Sequence, residues 1–413
     1  MMTTLSTTPP APVSLNERIA SLDVLRGVAI LGILIMNIQA YAMIGAAYLN
    51  PSAYGDLSGL NGLVWRLSHV LADTKFITIF SMLFGAGIVL MSDRVVAQGG
   101  KPGGRHLRRM LGLLVIGLMH AYLLWSGDIL VVYALCGFLA FLFRNKKPRT
   151  LLVVGLVFIA VPSGLYMFFG MSMPYWPADA IQGIMEFWAP TADAVAVEMA
   201  AFRSSWPEQM EYRVQTSLFF HTLVFLIWTG WRSLGVMLLG MALFKWGVFS
   251  AQRTTKLYAT LIAVGFLVGY PLVIYGMERN FAADWAIEYS FYFGPQFNYW
   301  GSILVAVAYV SLVMLLCKSD SLLGVRRVFA TVGRMALSNY LMQTLICTTI
   351  FYSQGFGLFG QVERRFQILI VFGVWAFLIV FSVIWMRHFR FGPVEWLWRS
   401  MTYGKLQPMK KTA

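Results

Sequence analysis

Charge is scarce in this sequence, and acidic charge scarcer still: charged residues fill 12% of 413 positions, with 18 Asp and Glu against 32 Lys and Arg. So low a fraction excludes a string of soluble domains, which carry roughly twice that share. Cysteine is nearly missing. Cys136, Cys317 and Cys347 stand alone in apolar stretches, without the paired spacing of a disulfide framework or a metal site, and read as small core residues. No P-loop, GxSxG elbow or HExxH run occurs, so soluble-enzyme chemistry is not signposted. The first twenty residues, with TTLSTTPPAPVS, hold no apolar h-region and no small-residue cleavage site; the first span is then expected to be its own targeting signal. The lack of an internal repeat removes one pointer to an inverted-repeat transporter.

What fills the chain instead is hydrocarbon. Hydrophobic residues make up 58%, the mean hydropathy is +0.68, and apolar runs near the ~20 residues needed to cross a bilayer recur throughout. The expected fold is all-α, a polytopic transmembrane helical bundle of about ten spans near 22–44, 74–93, 106–125, 128–143, 149–170, 216–245, 256–277, 297–317, 331–352 and 366–386. The formal charge of +14 sits mainly in alternate loops, among them Lys101 to Arg109, Arg144 to Arg149, Lys245 to Lys256, Lys318 to Arg327 and Arg387 to Lys411. By the positive-inside bias both termini are cytoplasmic. That basic charge is topology plus contact with membrane lipids, and nucleic acid is not an expected partner. The division expected is a disordered tail at 1–17, a four-span half at 18–145, a fifth span with an outer cap at 146–215, a five-span half at 216–402 and a basic tail at 403–413.

Ionisable groups inside spans are costly in hydrocarbon and are functional candidates by default. In the first span Asp23 and Arg26 share a face, and Asn37 follows Arg26 by eleven residues, about three helical turns. Gly27 and Gly32 predict close approach of another helix. Arg109 and His120 repeat the eleven-residue spacing, with Trp125 and Asp128 just beyond. A carboxylate there suits orientation of an imidazole base. Equally, Asp128 suits a helix cap and His120 a hydrogen bond across helices. Asp73 and Lys75 begin an inward span, His69 reads as interfacial, and His221 and Arg232 are again eleven apart. Asn339 and Gln343 read as helix glue.

Several long motifs occur in order: SLDVLRGVAILGILIMNI, KFITIFSMLFGAGI, RRMLGLLVIGLMHAYLLWSGDIL, VGRMALSNYLMQT and FRFGPVEWLWRSMTYGKLQPMKK. Together they resemble the YeiB-like family of bacterial multi-pass membrane proteins, over about residues 18–410. Through RIASLDVLRG and ADTKFITIFSMLFGAGI the chain is similar, more remotely, to transmembrane acyltransferases such as heparan-α-glucosaminide N-acetyltransferase. That likeness implies acetyl-CoA entering from the cytoplasm, an acceptor on the far side, and a catalytic histidine between the first two spans. Here that interval carries only His69, closer to Asp73 than the family's histidine would be, so His120 is the more attractive base.

The resulting expectation is a bacterial inner-membrane acyltransferase with acyl-CoA, acetyl-CoA foremost, as donor and no metal. Its acceptor is a small molecule, lipid or glycan. His120 with Asp128 would act as base, Lys75 or Asn37 would stabilise an oxyanion, and Asp23, Arg26 and Arg109 would hold the donor's diphosphate. Arg26 and His120 then mark the ends of a path comparable to an extended pantetheine arm. Trp125, His221 and Arg232 fall on the acceptor side. The alternative is a transporter or exporter using the same charges as a relay, and a homodimer is left open.

Overall fold

The computed structural model describes residues 20–319 and 322–411, and among these it contains helices and no strand. The tail expected at 1–17 lies outside the described residues. The bundle opens with α1 (Ala20–Ala42), the short α2 (Ala46–Leu49), α3 (Gly59–Leu71), α4 (Lys75–Ala97) and α5 (Pro102–Met119), which runs on through a π-helical turn at His120–Leu124. Then come α6 (Leu130–Leu142), α7 (Pro148–Ser172), α8 (Ala178–Trp188), α9 (Ala192–Arg203) and α10 (Trp206–Phe219). A π segment, Phe220–Thr229, joins α10 to α11 (Gly230–Lys245) without a break, and another, Gly265–Gly269, joins α12 (Thr255–Val264) to α13 (Tyr270–Ala282). The chain closes with α14 (Ile287–Ser290), α15 (Gly294–Lys318), α16 (Leu323–Arg334), α17 (Ala336–Phe351), α18 (Arg364–His388) and α19 (Pro393–Tyr403).

Among the described residues eight helices are long and apolar enough to span a membrane. The other two expected spans are shorter, 13 residues at Leu130–Leu142 and 16 at Ala336–Phe351. Three elements differ from the sequence reading. The span expected from 331 starts at 336, because the chain bends at Met335 and 331–334 end the amphipathic α16. The last ten residues of the outer segment 171–215 already belong to α10 and run straight into the sixth span. Finally, α3 fills the interval between the first two expected spans, to which the sequence reading assigns no element. Its Leu60, Leu63, Leu67 and Leu71 recur every three or four residues and are exposed, while Asn61, Trp65 and Ser68 are buried. This is a helix turned inside out, apolar stripe toward lipid and polar stripe toward protein.

The helix ends gather in two groups. At the basic end, Lys245 Nζ donates to Lys146 O (2.9 Å), Lys318 Nζ to Arg253 O (2.7 Å) and Arg108 Nε to Thr402 O (3.1 Å). At the opposite end, Asn50 Nδ2 donates to Trp188 O (3.1 Å), Trp188 Nε1 to Trp285 O (2.8 Å), and Arg364 to the carbonyls of Pro51, Tyr54 and Asp56, each at 3.0 Å. Between them the helices touch backbone to backbone where glycines permit. A Cβ on Gly85 would sit 2.0 Å from Met237 O and one on Gly240 2.0 Å from Met82 O, so α4 and α11 meet without side chains between them. Gly27 does the same for α1 against α16, at Phe329 O, whereas Gly32 makes room for the Phe76 ring of α4. Asn339 and Gln343 do serve as glue, Asn339 Nδ2 reaching Ser382 Oγ on α18 (3.0 Å) and Gln343 Nε2 reaching Ile30 O on α1 (2.8 Å).

The amphipathic α19 lies outside the spans and caps one of them. Glu395 accepts from Leu337 N (2.7 Å) and Ser338 N (3.1 Å), the orphan donors of α17's first turn, and from the Ser338 hydroxyl. Burial nonetheless pushes its carboxyl above the ordinary 4.5. A raised carboxyl pKa means that the folded state binds the extra proton, so this contribution is present below 4.5 and is lost as pH rises through the raised value. Unfolding in detergent should therefore show stability falling with pH across that window in the native protein, and Glu395→Gln should flatten that slope.

Candidate active site

A cavity of about 410 Å³ lies at the end opposite the basic loops, among α1, α3, α4, α11, α13 and α15. Its formation begins at the α3–α4 junction. Thr74 sits in the left-handed region at φ 61°, a conformation that costs a non-glycine residue about 1 kcal/mol or more. The kink is held partly by Thr74 Oγ1 donating to Asp73 O (2.7 Å). It turns the chain from α3 into α4 and sets His69 and Asp73 on the cavity wall. Asp284 and Trp285 are also left-handed, at φ 49° and 56°, and bring the Trp285 ring to the same wall.

His69 Nδ1 lies 3.0 Å from Asp73 Oδ2, and the imidazole stacks on Trp65, ring centres 5.1 Å apart. Asp73 also accepts from Asn298 Nδ2 (2.8 Å). Lys75 secures this amide: its Nζ donates to Asn298 Oδ1 (2.6 Å) and to His69 O (2.8 Å) and is 0% exposed. With Nδ1 beside the carboxylate, a proton held there leaves Nε2 as the basic nitrogen of a residue that lines the cavity, and no described residue hydrogen-bonds to that nitrogen. This is the tautomer a general base requires. Asn37 lines the cavity as well, its amide bonded to no described side chain.

The second His–Asp pair has both side chains enclosed, although Asp128 stands on the wall of the same cavity. His120 is 1% exposed, with Nδ1 2.7 Å from Asp128 Oδ1 and Nε2 2.9 Å from Thr344 Oγ1. Thr344 Oγ1 lies 2.7 Å from Tyr41 OH, and Trp125 stacks on Tyr41 with ring centres 4.0 Å apart. Asp128 Oδ2 accepts from Val131 N (2.7 Å), capping α6. Cap and cross-helix bond thus coexist with the pair. The wide π turn at His120–Leu124 swings the chain to Trp125 and lets residue 128 return to the imidazole.

The remaining expected residues divide between the ends. Arg232 lines the cavity; Trp125 and His221 do not. His221 packs beside Tyr122, ring centres 5.8 Å apart, and among the described residues neither of its nitrogens has a hydrogen-bond partner. The π segment between His221 and Arg232 widens the turn, so eleven residues no longer return to one face. Asp23, Arg26 and Arg109 sit toward the basic end, with Arg26 and Asp23 paired at 2.8 Å. The Arg109 guanidinium packs over Trp398 of α19, 4.8 Å from the ring centre, and Arg26 and Arg399 are the cations that act on it. Sequence reasoning did not single out Asn298, Trp65, Thr344 or Tyr41. The four-residue spacing of Trp65, His69 and Asp73, one helical face, was the available signal.

Fold and cavity together define a polytopic α-helical membrane protein with a polar, aromatic-walled chamber at one end. Residues 243–405 match a family described as "Protein of unknown function (DUF418)". The chain is 35% identical to the uncharacterized protein YeiB of Escherichia coli (strain K12), over 94% of this chain and 96% of that one. It is 32% identical to the uncharacterized protein YxaH of Bacillus subtilis (strain 168), over 97% of this chain and 98% of that one. The chain belongs to the YeiB-like family. No solved structure matches it.

Proposed function

We propose that the protein is an acyltransferase that moves an acyl group from acyl-CoA, acetyl-CoA foremost, at the basic end to a hydroxyl or amine acceptor held in the cavity. In this reading the basic end faces the cytoplasm of a bacterial inner membrane and carries both termini. The observation that carries the proposal is the His69–Asp73 pair on the cavity wall. His69 also lies between the first two spans, the interval in which the likeness to transmembrane acyltransferases implies a catalytic histidine, though closer to Asp73 than that likeness implies. We therefore assign the base to His69 and give the enclosed His120–Asp128 pair a supporting role.

The donor supplies a thioester with an activated acyl carbon. At the other reactant, His69 Nε2 takes the proton as the acceptor's oxygen or nitrogen bonds to that carbon, and returns it to the sulfur as the carbon–sulfur bond breaks. Asp73 holds the Nδ1 proton and offsets the imidazolium charge. Asn37 offers an amide donor to the developing oxyanion. Lys75, hidden behind Asn298, positions the pair through that amide. The residues that would hold the diphosphate are Arg26, Arg109 and Arg399: their charges are gathered, and Arg109's donors have no described hydrogen-bond acceptor. Arg26 and Asn37 are separated by eleven residues of α1, about 16 Å of rise.

Purified protein in detergent should gain about 2.7 kcal/mol of stability from acetyl-CoA or CoA at a hundredfold its Kd. ATP at the same concentration should give little, and Arg109→Ala should weaken the CoA response without lowering basal stability. No CoA-specific gain in well-folded protein, together with pH-gradient-driven flux in vesicles, would transfer the assignment to transport.

A further inference from the structure

Arg232 is held in the cavity wall with no carboxylate in contact with it among the described residues. It is 9% exposed, and its hydrogen-bond acceptors are all neutral: Thr78 Oγ1 (3.4 Å), Tyr299 O (3.3 Å) and Ser302 Oγ (3.0 Å). The Tyr299 ring lies under the guanidinium, 4.7 Å away. Among the described residues no carboxylate is within ion-pair distance of it. A guanidinium carries five N–H donors, and these three bonds leave two of them unused beside an open cavity. The carboxylates of the wall are already engaged, Asp73 with His69 and Asn298, Asp128 with His120 and Val131 N. Lys75 adds a further cation close behind Asp73. Asp73 acts on Arg232 only from beyond ion-pair distance, and its carboxylate is already held by His69 and Asn298, so the guanidinium keeps no contact anion in a setting where a buried charge without one is expensive.

We infer that the cavity is an anion site in which Arg232 receives a carboxylate or phosphate group of the ligand, while Trp65, Trp228 and Trp285 pack its body. The guanidinium fork suits both anions, and the aromatic walls suit an apolar or ring-shaped remainder. This deepens the reading above by giving the acceptor a charge; it rests on that reading only for the ligand's being an acceptor, since the charge argument needs the cavity alone. The anion can come from a water-soluble molecule or from a lipid headgroup, and the chemistry at Arg232 is shared.

The test reads ligand charge and not transfer. Ser233, beside Arg232 on the cavity wall, is replaced by cysteine in a Cys317→Ser background of the full chain, Cys136 and Cys347 being buried. The protein is placed in phosphatidylcholine nanodiscs and labelled with methanethiosulfonates bearing either a sulfonate or a trimethylammonium group. The anionic reagent should react about tenfold faster than the cationic one, and Arg232→Gln should abolish that preference. Slowing of the reaction by inorganic phosphate or acetate assigns the site to a soluble anion. Slowing only when phosphatidylglycerol is included assigns it to a lipid headgroup. Equal rates for the two reagents, zero included, or an anionic preference that persists in Arg232→Gln, overturn the inference. If Arg232→Gln does not fold, slowing by phosphate, acetate or phosphatidylglycerol in the Arg232 protein supports the site and its absence overturns it. Absence of acyl transfer in the native protein, with the charge preference intact, would sink the catalytic assignment and leave the anion site standing.

Discussion

His69→Ala should lower acyl transfer by about 10²–10⁴-fold, the range over which a positioned acid–base group acts, while leaving the protein folded. Folding should survive because the side chain of His69 is a terminal member of its network. Without it, Asp73 still accepts from Asn298 Nδ2, and Lys75 Nζ still donates to the carbonyl of residue 69, a backbone atom that the substitution keeps. Asp73→Asn should also reduce turnover, because an amide no longer favours the Nδ1–H tautomer or offsets the imidazolium. The measurement is release of CoA thiol from acetyl-CoA in the presence of a panel of hydroxyl and amine acceptors, normalised to folded protein. His120→Ala is the decisive comparison. Should that variant lose transfer at native stability while His69→Ala keeps it, the base is His120 and the enclosed pair must open during turnover.

That comparison is needed because the two histidines look alike along the chain and differ only in the folded protein. The bundle and eight of its expected spans were legible, since a run of twenty apolar residues has few alternatives in any solvent. What escaped were elements whose polarity is arranged for lipid on one side and protein on the other. In α3 the leucines point outward and Trp65, Ser68 and Asn61 inward, so its pattern does not stand out as a helix until a neighbour is in place. The helix is what puts His69 on the cavity. For His120, the sequence correctly joined the imidazole to Asp128 but said nothing of Thr344, 224 positions away, which occupies its second nitrogen. Asn298 was equally invisible: it lies 223 residues from Lys75 and 225 from Asp73, and only the packing of α15 against α4 makes it their bridge. Arg232 stood out from its mid-span position. The neutrality of its surroundings is a property of three helices and could not be read from one.

The enclosed pair should produce the largest stability effect. His120 and Asp128 have side chains 1% and 0% exposed, so removing one partner leaves the other buried with its polar atom unmatched. Loss of one member of such a pair typically costs about 3–5 kcal/mol. For Asp128→Ala the missing cap on Val131 N should add about 1 kcal/mol more. His120→Ala also strips Thr344 Oγ1 of an acceptor or donor and loosens its contact with Tyr41, because the four side chains form one continuous network. Replacing both residues together should cost less than the sum of the single changes, with a coupling of about 1–3 kcal/mol. Denaturant unfolding in detergent on the two single variants and the double variant gives all three quantities. If each single change instead costs under about 1 kcal/mol, the pair does not hold the wall, and its burial must be one state of a segment that moves, with the π turn at His120–Leu124 as the element that rewinds.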